Sequence, residues 1–161
     1  MSRLRPLTSS TRVALAIARG TAAARGDRDL TPTHVAIGIF REGSNAGLGA
    51  LWYAGMTEKE IRHFAFELEF SLGEPPGHIP PRLVAIELTA GEEEVLRLSD
   101  IEADHFDDPY LGTEHILLAI LRAGGHAAQK ITERGITLEK YYDGMLSMRR
   151  GDPPPNEPST T

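Results

Sequence analysis

Histidines and carboxylates are the side chains of this sequence that could bind a metal ion or transfer protons. The 161 residues contain six histidines and 23 aspartates and glutamates, but no cysteine. Thiolate zinc sites, disulfide scaffolds and a cysteine nucleophile are therefore excluded. No H-E-x-x-H or G-x-S-x-G pattern occurs in the sequence. These absences argue against a zincin-type metalloenzyme and against a hydrolase with a serine nucleophile elbow.

The remaining polar groupings have structural explanations that compete with chemical ones. The glutamates at 92–94 fall in the first turn of a predicted helix, where negative charge favours the macrodipole. The polar stretch at 105–109 could hold a cation weakly, but its composition is more typical of a turn. His34 and His115 begin two apolar helices, a position that favours hydrogen bonds to backbone groups. We therefore predict no metal site, no cofactor and no enzyme.

A tandem duplication organises the whole chain. Residues that recur 81 positions later include Leu7, Leu30, His34 and Arg41, which match Leu88, Leu111, His115 and Arg122. After a deletion of one residue, the run at 55–57 recurs at 135–137. Matches that keep one register over this length predict two copies of the same supersecondary unit.

Residues typical of helix starts and helix ends recur in both copies and predict four helices in each. Predicted helix starts are Thr8, Thr31, Thr57, Thr89 and Thr137, and predicted ends are Gly26, Gly43, Gly55, Gly124 and Gly135. The runs at 34–40 and 115–122 are apolar almost all round, so each should be the buried centre of its copy. We predict an all-α fold of two four-helix repeats, packed with pseudo-twofold symmetry as one eight-helix domain with a shared core.

Stretches rich in proline and glycine mark the boundaries between segments of the chain. We predict a first repeat at 1–72, a linker with an insertion at 73–87, a second repeat at 88–150 and a disordered Pro-rich tail at 151–161.

The net charge of −6 argues against nucleic-acid binding. No run of residues approaches the ~20 apolar residues that a membrane span needs. The arginine-rich start resembles a transit segment, but from Leu7 it belongs to the repeat. We therefore predict a cytoplasmic protein.

The second copy carries a specific motif, LGTEHILLAILRAGGHAAQKITERGITLEK, from Leu111 to Lys140. Together with the weaker LTPTHVAIGIF of the first copy and GHIP in the linker, it resembles the Clp amino-terminal repeat domain of the ClpC type. The resemblance spans about residues 7–148, and the insertion at 81–87 departs from the ClpC pattern. The chain has no G-x-x-x-x-G-K-[ST] loop, so it resembles that domain without the ATPase modules.

The resemblance implies a binding site for phosphorylated arginine in each repeat. In ClpC-type domains the threonine that opens the first helix takes the phosphate, and the glutamate of G-T-E-H takes the guanidinium. The second repeat keeps both residues, as Thr89 and Glu114, whereas the first keeps Thr8 but has Thr33 in place of the glutamate. A hydroxyl cannot form the charge-assisted pair with guanidinium, so at most one site should survive. The competing interpretation is that Thr89 only caps a helix and Glu114 only occupies an exposed first turn.

The predicted function is a non-catalytic protein-binding module of the Clp proteolysis system. Its expected partners are Clp ATPase or protease components, adaptor proteins, or protein substrates, including those marked by phosphoarginine. Two alternatives stay open at this point. The chain could be the excised N-terminal domain of a full-length ClpC-type ATPase, or a helical scaffold unrelated to proteolysis.

Overall fold

The computed structural model describes residues 4–27, 29–74 and 90–153. Within these ranges the chain forms eight α-helices and no strand, with one isolated parallel bridge between Leu7 and Leu111. In chain order the helices are α1 (Ser9–Arg25), α2 (Pro32–Glu42), α3 (Ala46–Ala54), α4 (Glu58–Ser71), α5 (Ala90–His105), α6 (Thr113–Ala123), α7 (His126–Glu133) and α8 (Leu138–Arg150). The prediction of an all-α fold with four helices in each copy is confirmed. Thr89, residues 75–87 of the predicted linker and the tail from 154 onward lie outside the described residues.

Threonines begin half of these helices, as the sequence predicts. A threonine hydroxyl oxygen accepts the backbone N–H three residues later at Thr8, Thr31, Thr57 and Thr137. At α4 the Glu60 carboxylate also accepts the N–H of Thr57 at 3.1 Å, which completes a capping box. Glycines in the left-handed conformation end the first three helices, at Gly26, Gly43 and Gly55.

Helices α2 and α6 are the buried centres of the two repeats. Every residue at 33–40 in α2 and at 113–121 in α6 is buried. Helix α1 packs on α2, and α5 packs on α6. The α1–α2 contact is close because small residues face each other, with Gly38 against the backbone of Ala14 and Ala18.

The two repeats are joined by α3, which packs on both α6 and α8. The N–H of Gly47 in α3 donates to the hydroxyl of Thr113 in α6 at 2.8 Å, and that hydroxyl donates to Asn45 at 2.9 Å. Gly144 in α8 lies against the backbone of Ala50 in α3. The buried apolar side chains of both repeats form one continuous cluster, so the repeats share a core. No helix in the described part of the chain is long and apolar enough to cross a membrane.

Candidate functional site

The N-terminal ends of α1 and α6 lie side by side, although the two helices belong to different repeats. The N–H of Leu111 donates to the carbonyl of Pro6 at 2.9 Å, and the N–H of Thr8 donates to the carbonyl of Leu111 at 3.1 Å. The Thr11 hydroxyl reaches the same carbonyl at 3.3 Å. Backbone pairing therefore holds the start of the first repeat against the start of the central helix of the second repeat.

Thr8 is the N-cap of α1 and forms one side of this site. Its hydroxyl oxygen accepts the N–H of Thr11 at 3.2 Å and lies 2.7 Å from the Thr11 hydroxyl. The first turn of α1 contains no acidic residue. The first N–H groups of a helix have no partner within the helix, and the positive end of the helix dipole lies at the same end. The start of α1 therefore favours binding of an anion.

Glu114, the second residue of α6, forms the other side. Its side chain is 4 % exposed, and its Oε1 is buried without a hydrogen-bond partner among the described residues. The carboxylate folds back over Gly112, where any Cβ would overlap Oε1. Burial raises the pKa of the Glu114 carboxyl above its ordinary value, although the charge of His115, a hydrogen bond from the backbone N–H of Glu114 and the charge of Arg149 act in the opposite direction. Glu114 is thus an acid buried at some cost to the fold.

His115 and Asp108 hold the turn that leads into α6. The Nδ1 atom of His115 accepts the N–H of Gly112 at 3.0 Å, and its Nε2 lies 2.6 Å from Asp108 Oδ2. The Arg149 guanidinium closes the cluster with two hydrogen bonds to Asp108, one of 3.1 Å to Oδ1. Burial raises the pKa of the Asp108 carboxyl, but the hydrogen bonds from Arg149 and His115 outweigh this effect and hold it below its ordinary value.

The first repeat contains the same histidine arrangement. His34 Nδ1 accepts the N–H of Thr31 at 3.0 Å, and its Nε2 lies 2.8 Å from Asp27 Oδ2. The backbone-bonding role predicted for both histidines is therefore confirmed. Sequence reasoning missed the aspartate partners, although Asp27 and Asp108 stand 81 positions apart in the same register as the histidines.

The possible cation cluster at 105–109 does not assemble. Asp108 turns inward to His115 and Arg149, whereas the nearest acidic partner of His105 is Glu102, at 3.6 Å. Across the part of the chain that the structure describes, no group of three or more histidine, aspartate or glutamate side chains is placed to hold a metal ion.

The structure brings together two of the three predicted site residues, Thr8 and Glu114, from opposite repeats. Thr89 lies outside the described residues, so its part in the site stays a prediction. Ala90, the first residue of α5, lies at the far end of that helix from the turn into α6, about 22 Å along the helix axis. This separation favours Thr8 as the hydroxyl that accompanies Glu114. Thr33, which replaces the glutamate in the first repeat, is 5 % exposed.

The fold and this site define a helical tandem-repeat domain in which a buried histidine, bonded to an aspartate, holds the opening of the central helix of each repeat. The sequence matches the Clp repeat (R) N-terminal domain family over residues 6–134. The chain therefore belongs to the Clp repeat N-terminal domain family, as its motifs predict.

Individual relatives agree with this assignment. The chain is 31 % identical over 135 residues to the chaperone protein ClpB of Oceanobacillus iheyensis. It is 30 % identical over 135 residues to the negative regulator of genetic competence ClpC/MecB of Bacillus subtilis. Each alignment covers 83 % of this chain but 16 % of the relative, so the chain spans about a sixth of the length of these curated relatives.

Solved structures of Clp-type N-terminal domains have the same fold. The Hsp104 N-terminal domain from Candida albicans matches with a TM-score of 0.66 and 16 % identity, covering 89 % of this chain and 91 % of that chain. The N-terminal domain of ClpD from Arabidopsis thaliana matches with a TM-score of 0.59 and 16 % identity, covering 90 % and 95 %. At this level of identity the matches establish the fold alone.

Proposed function

We propose that the chain is a non-catalytic protein-binding module of a Clp proteolysis system that recognises adaptor proteins or substrates. Within it, the adjoining ends of α1 and α6 receive a phosphorylated arginine side chain. Membership of the Clp repeat N-terminal domain family supports the general role. The sequence contains no phosphate-binding loop of the ATPase type, which supports a role in binding rather than catalysis.

The observation that carries the proposal is the buried Glu114 carboxylate, whose Oε1 has no hydrogen-bond partner among the described residues. A charged oxygen in this state destabilises the free protein, because it has lost water and gained no donor. A guanidinium supplies two parallel N–H donors and a positive charge, the pairing that best satisfies a carboxylate. Turning this side chain from Gly112 toward a bound guanidinium would relieve the cost.

The phosphate end of the ligand fits the start of α1. Thr8 has a hydroxyl there, and the backbone N–H groups of Ser9 and Ser10 lie in the first turn of α1. These N–H groups and the positive end of the helix dipole both favour a bound phosphate. The backbone hydrogen bond between Thr8 and Leu111, three residues before Glu114, supports placing the proposed phosphate and guanidinium subsites next to each other. The arrangement suits a side chain that carries both groups.

Glu114→Gln should weaken binding of free phosphoarginine about ten- to a hundredfold. Glutamine keeps the shape and one acceptor oxygen but removes the charge, which is worth about 1.5–3 kcal/mol in a hydrogen bond to a charged group. Titration calorimetry measures the affinity of both proteins. Glu139→Gln is the matched control, since Glu139 is the second residue of α8 but is exposed. Wild-type protein that binds no phosphoarginine at millimolar ligand, or Glu114→Gln that binds as well as wild type, would refute the site.

The same substitution should stabilise the ligand-free protein at pH 7. A carboxyl whose pKa rises on folding contributes stability below its unfolded pKa and loses it as the pH passes through the folded pKa. Glutamine stays neutral throughout, so we expect Tm to rise by about 2–4 °C at pH 7, equivalent to about 1 kcal/mol, and to change little at pH 4. A drop in Tm at pH 7 would show that the carboxylate has a structural partner.

A further inference from the structure

Tyr110 stands beside Glu114, at the turn that leads into α6. The Cε2 atom of its ring lies 3.3 Å from the position that a Cβ at Gly112 would take, and the Glu114 carboxylate covers that same position. The ring and the carboxylate are therefore neighbours on one side of Gly112. Tyr110 is partly exposed, whereas every residue at 111–121 is buried. The Tyr110 ring is thus accessible to a ligand that reaches Glu114.

The extended backbone before α6 explains why these two side chains meet. Leu111 pairs with Leu7 in the parallel bridge, and Gly112 has φ −111° and ψ 173°. In an extended chain, successive side chains point to opposite sides. The Leu111 side chain enters the core, where it is 0 % exposed. Tyr110 is therefore directed to the other side, where the first turn of α6 brings Glu114 back over Gly112.

The first repeat keeps the framework of this turn but not the residues around the carboxylate. It has an aspartate, a leucine and a histidine at matching positions, Asp27, Leu30 and His34. In place of the tyrosine, the glycine and the glutamate it has Asp29, Thr31 and Thr33. The aromatic ring, the glycine and the carboxylate thus occur together in one repeat and are all absent from the other.

A guanidinium of the chain itself shows what such a ring and carboxylate can bind. Arg149 donates two hydrogen bonds to Asp108, and its guanidinium carbon lies 4.4 Å from the centre of the Phe106 ring. One guanidinium therefore bonds a carboxylate and stacks on an aromatic ring at the same time. Glu114 and Tyr110 repeat this combination of groups, and Oε1 of Glu114 has no hydrogen-bond partner among the described residues.

We propose that Tyr110 is a specificity-determining residue of the site, whose ring stacks on the guanidinium that Glu114 binds. This inference rests on the proposed function, because it needs a guanidinium at Glu114. A planar guanidinium can bond a carboxylate through its edge and present its face to a ring, whereas an ammonium group is a compact, strongly hydrated point charge. The site therefore selects phosphoarginine over phospholysine.

Titration calorimetry of full-length variants with free phosphoarginine tests this contact. Tyr110→Phe keeps the ring and should bind within about twofold of wild type. Fluorine atoms on that phenylalanine ring withdraw negative charge from its face with little change in shape. Affinity should therefore fall with each added fluorine, by about three- to tenfold over the series. The same series at Tyr142 is the matched control and should leave affinity unchanged, since Tyr142 packs on Phe106 and is 37 % exposed.

Tyrosine absorption and ligand choice provide two further measurements. Saturating phosphoarginine should perturb the near-ultraviolet tyrosine band of wild type, and Tyr110→Phe should lose most of this change although it still binds. Tyr110→Leu removes the ring and should weaken phosphoarginine binding about three- to tenfold but change phospholysine binding little. A tyrosine that only supported the turn would affect both ligands equally.

Failure of this contact and failure of the proposed function give different results. Wild-type protein that binds phosphoarginine, with a fluorinated series of constant affinity at position 110, overturns the role of Tyr110 and leaves the Glu114 site intact. Wild-type protein that binds no phosphoarginine at millimolar ligand refutes the site and this contact together. An equal fall in affinity for the series at Tyr142 also contradicts the contact, because fluorination would then act through the fold.

Discussion

Replacing Leu118 by alanine is expected to lower the free energy of unfolding by about 2–5 kcal/mol, the range for a leucine truncated inside a packed core. Leu118 lies in the middle of α6 and its side chain is 0 % exposed. Helix α6 packs on helices of both repeats, so no single neighbour can move in to fill the cavity. Urea unfolding followed by circular dichroism measures the change.

Leu4→Ala is the control for this substitution. It removes the same atoms from a side chain that is 43 % exposed, and we expect a change of about 0.5 kcal/mol or less. If Leu118→Ala also costs no more than about 0.5 kcal/mol, α6 is not the centre of the core.

Much of the fold follows from local signals that the sequence repeats. Thr31 before Pro32 and Thr57 with Glu60 predict helix starts because capping uses residues only three positions apart. The apolar runs of α2 and α6 predict burial because neither has a polar face to expose to water. The duplication extends the helix positions to the second copy, where Thr137 again caps a helix but Gly112 begins α6 without a side-chain cap.

The proposed site depends on contacts between the repeats, and the sequence gives no signal for these contacts. Thr8 meets Leu111 across more than 100 positions through backbone hydrogen bonds, which any residue types could form. Repeat symmetry alone suggests that each site lies within one repeat, whereas the proposed site combines Thr8 and Glu114 from different repeats. The burial of Glu114 was equally hidden, because a glutamate in the first turn of a helix is normally exposed.

Glu114 and the two exposed phenylalanines of α4, Phe66 and Phe70, are not placed where they would stabilise the free chain most. A buried carboxylate oxygen without a hydrogen-bond donor and two exposed phenylalanines both lower the stability of the free chain. Binding of a complementary surface would remove both destabilising effects. Residues that reduce stability in the free state and gain contacts in a complex are the expected signature of binding surfaces.

Gly38→Ala is expected to lower the free energy of unfolding by about 3 kcal/mol, the upper part of the usual range for overpacking. A Cβ at Gly38 would overlap the carbonyl oxygen of Ala14 and lie 3.0 Å from its carbonyl carbon. These atoms belong to the backbone of α1, so no rotamer change can remove the overlap. The α1–α2 distance must increase instead, which loosens the small-residue contact along both helices. Chemical denaturation monitored by circular dichroism measures the loss.

Gly20→Ala separates this packing effect from the intrinsic preference of the helix for alanine. Gly20 is also inside a helix, α1, but a Cβ there would meet no atom within 4 Å. Alanine should therefore stabilise the protein at this position by about 0.5–1 kcal/mol, because glycine is the poorer helix former. The same chemical change thus has opposite signs at two helical positions. If Gly38→Ala were instead neutral or stabilising, α1 and α2 would not be in the close contact on which the first repeat depends.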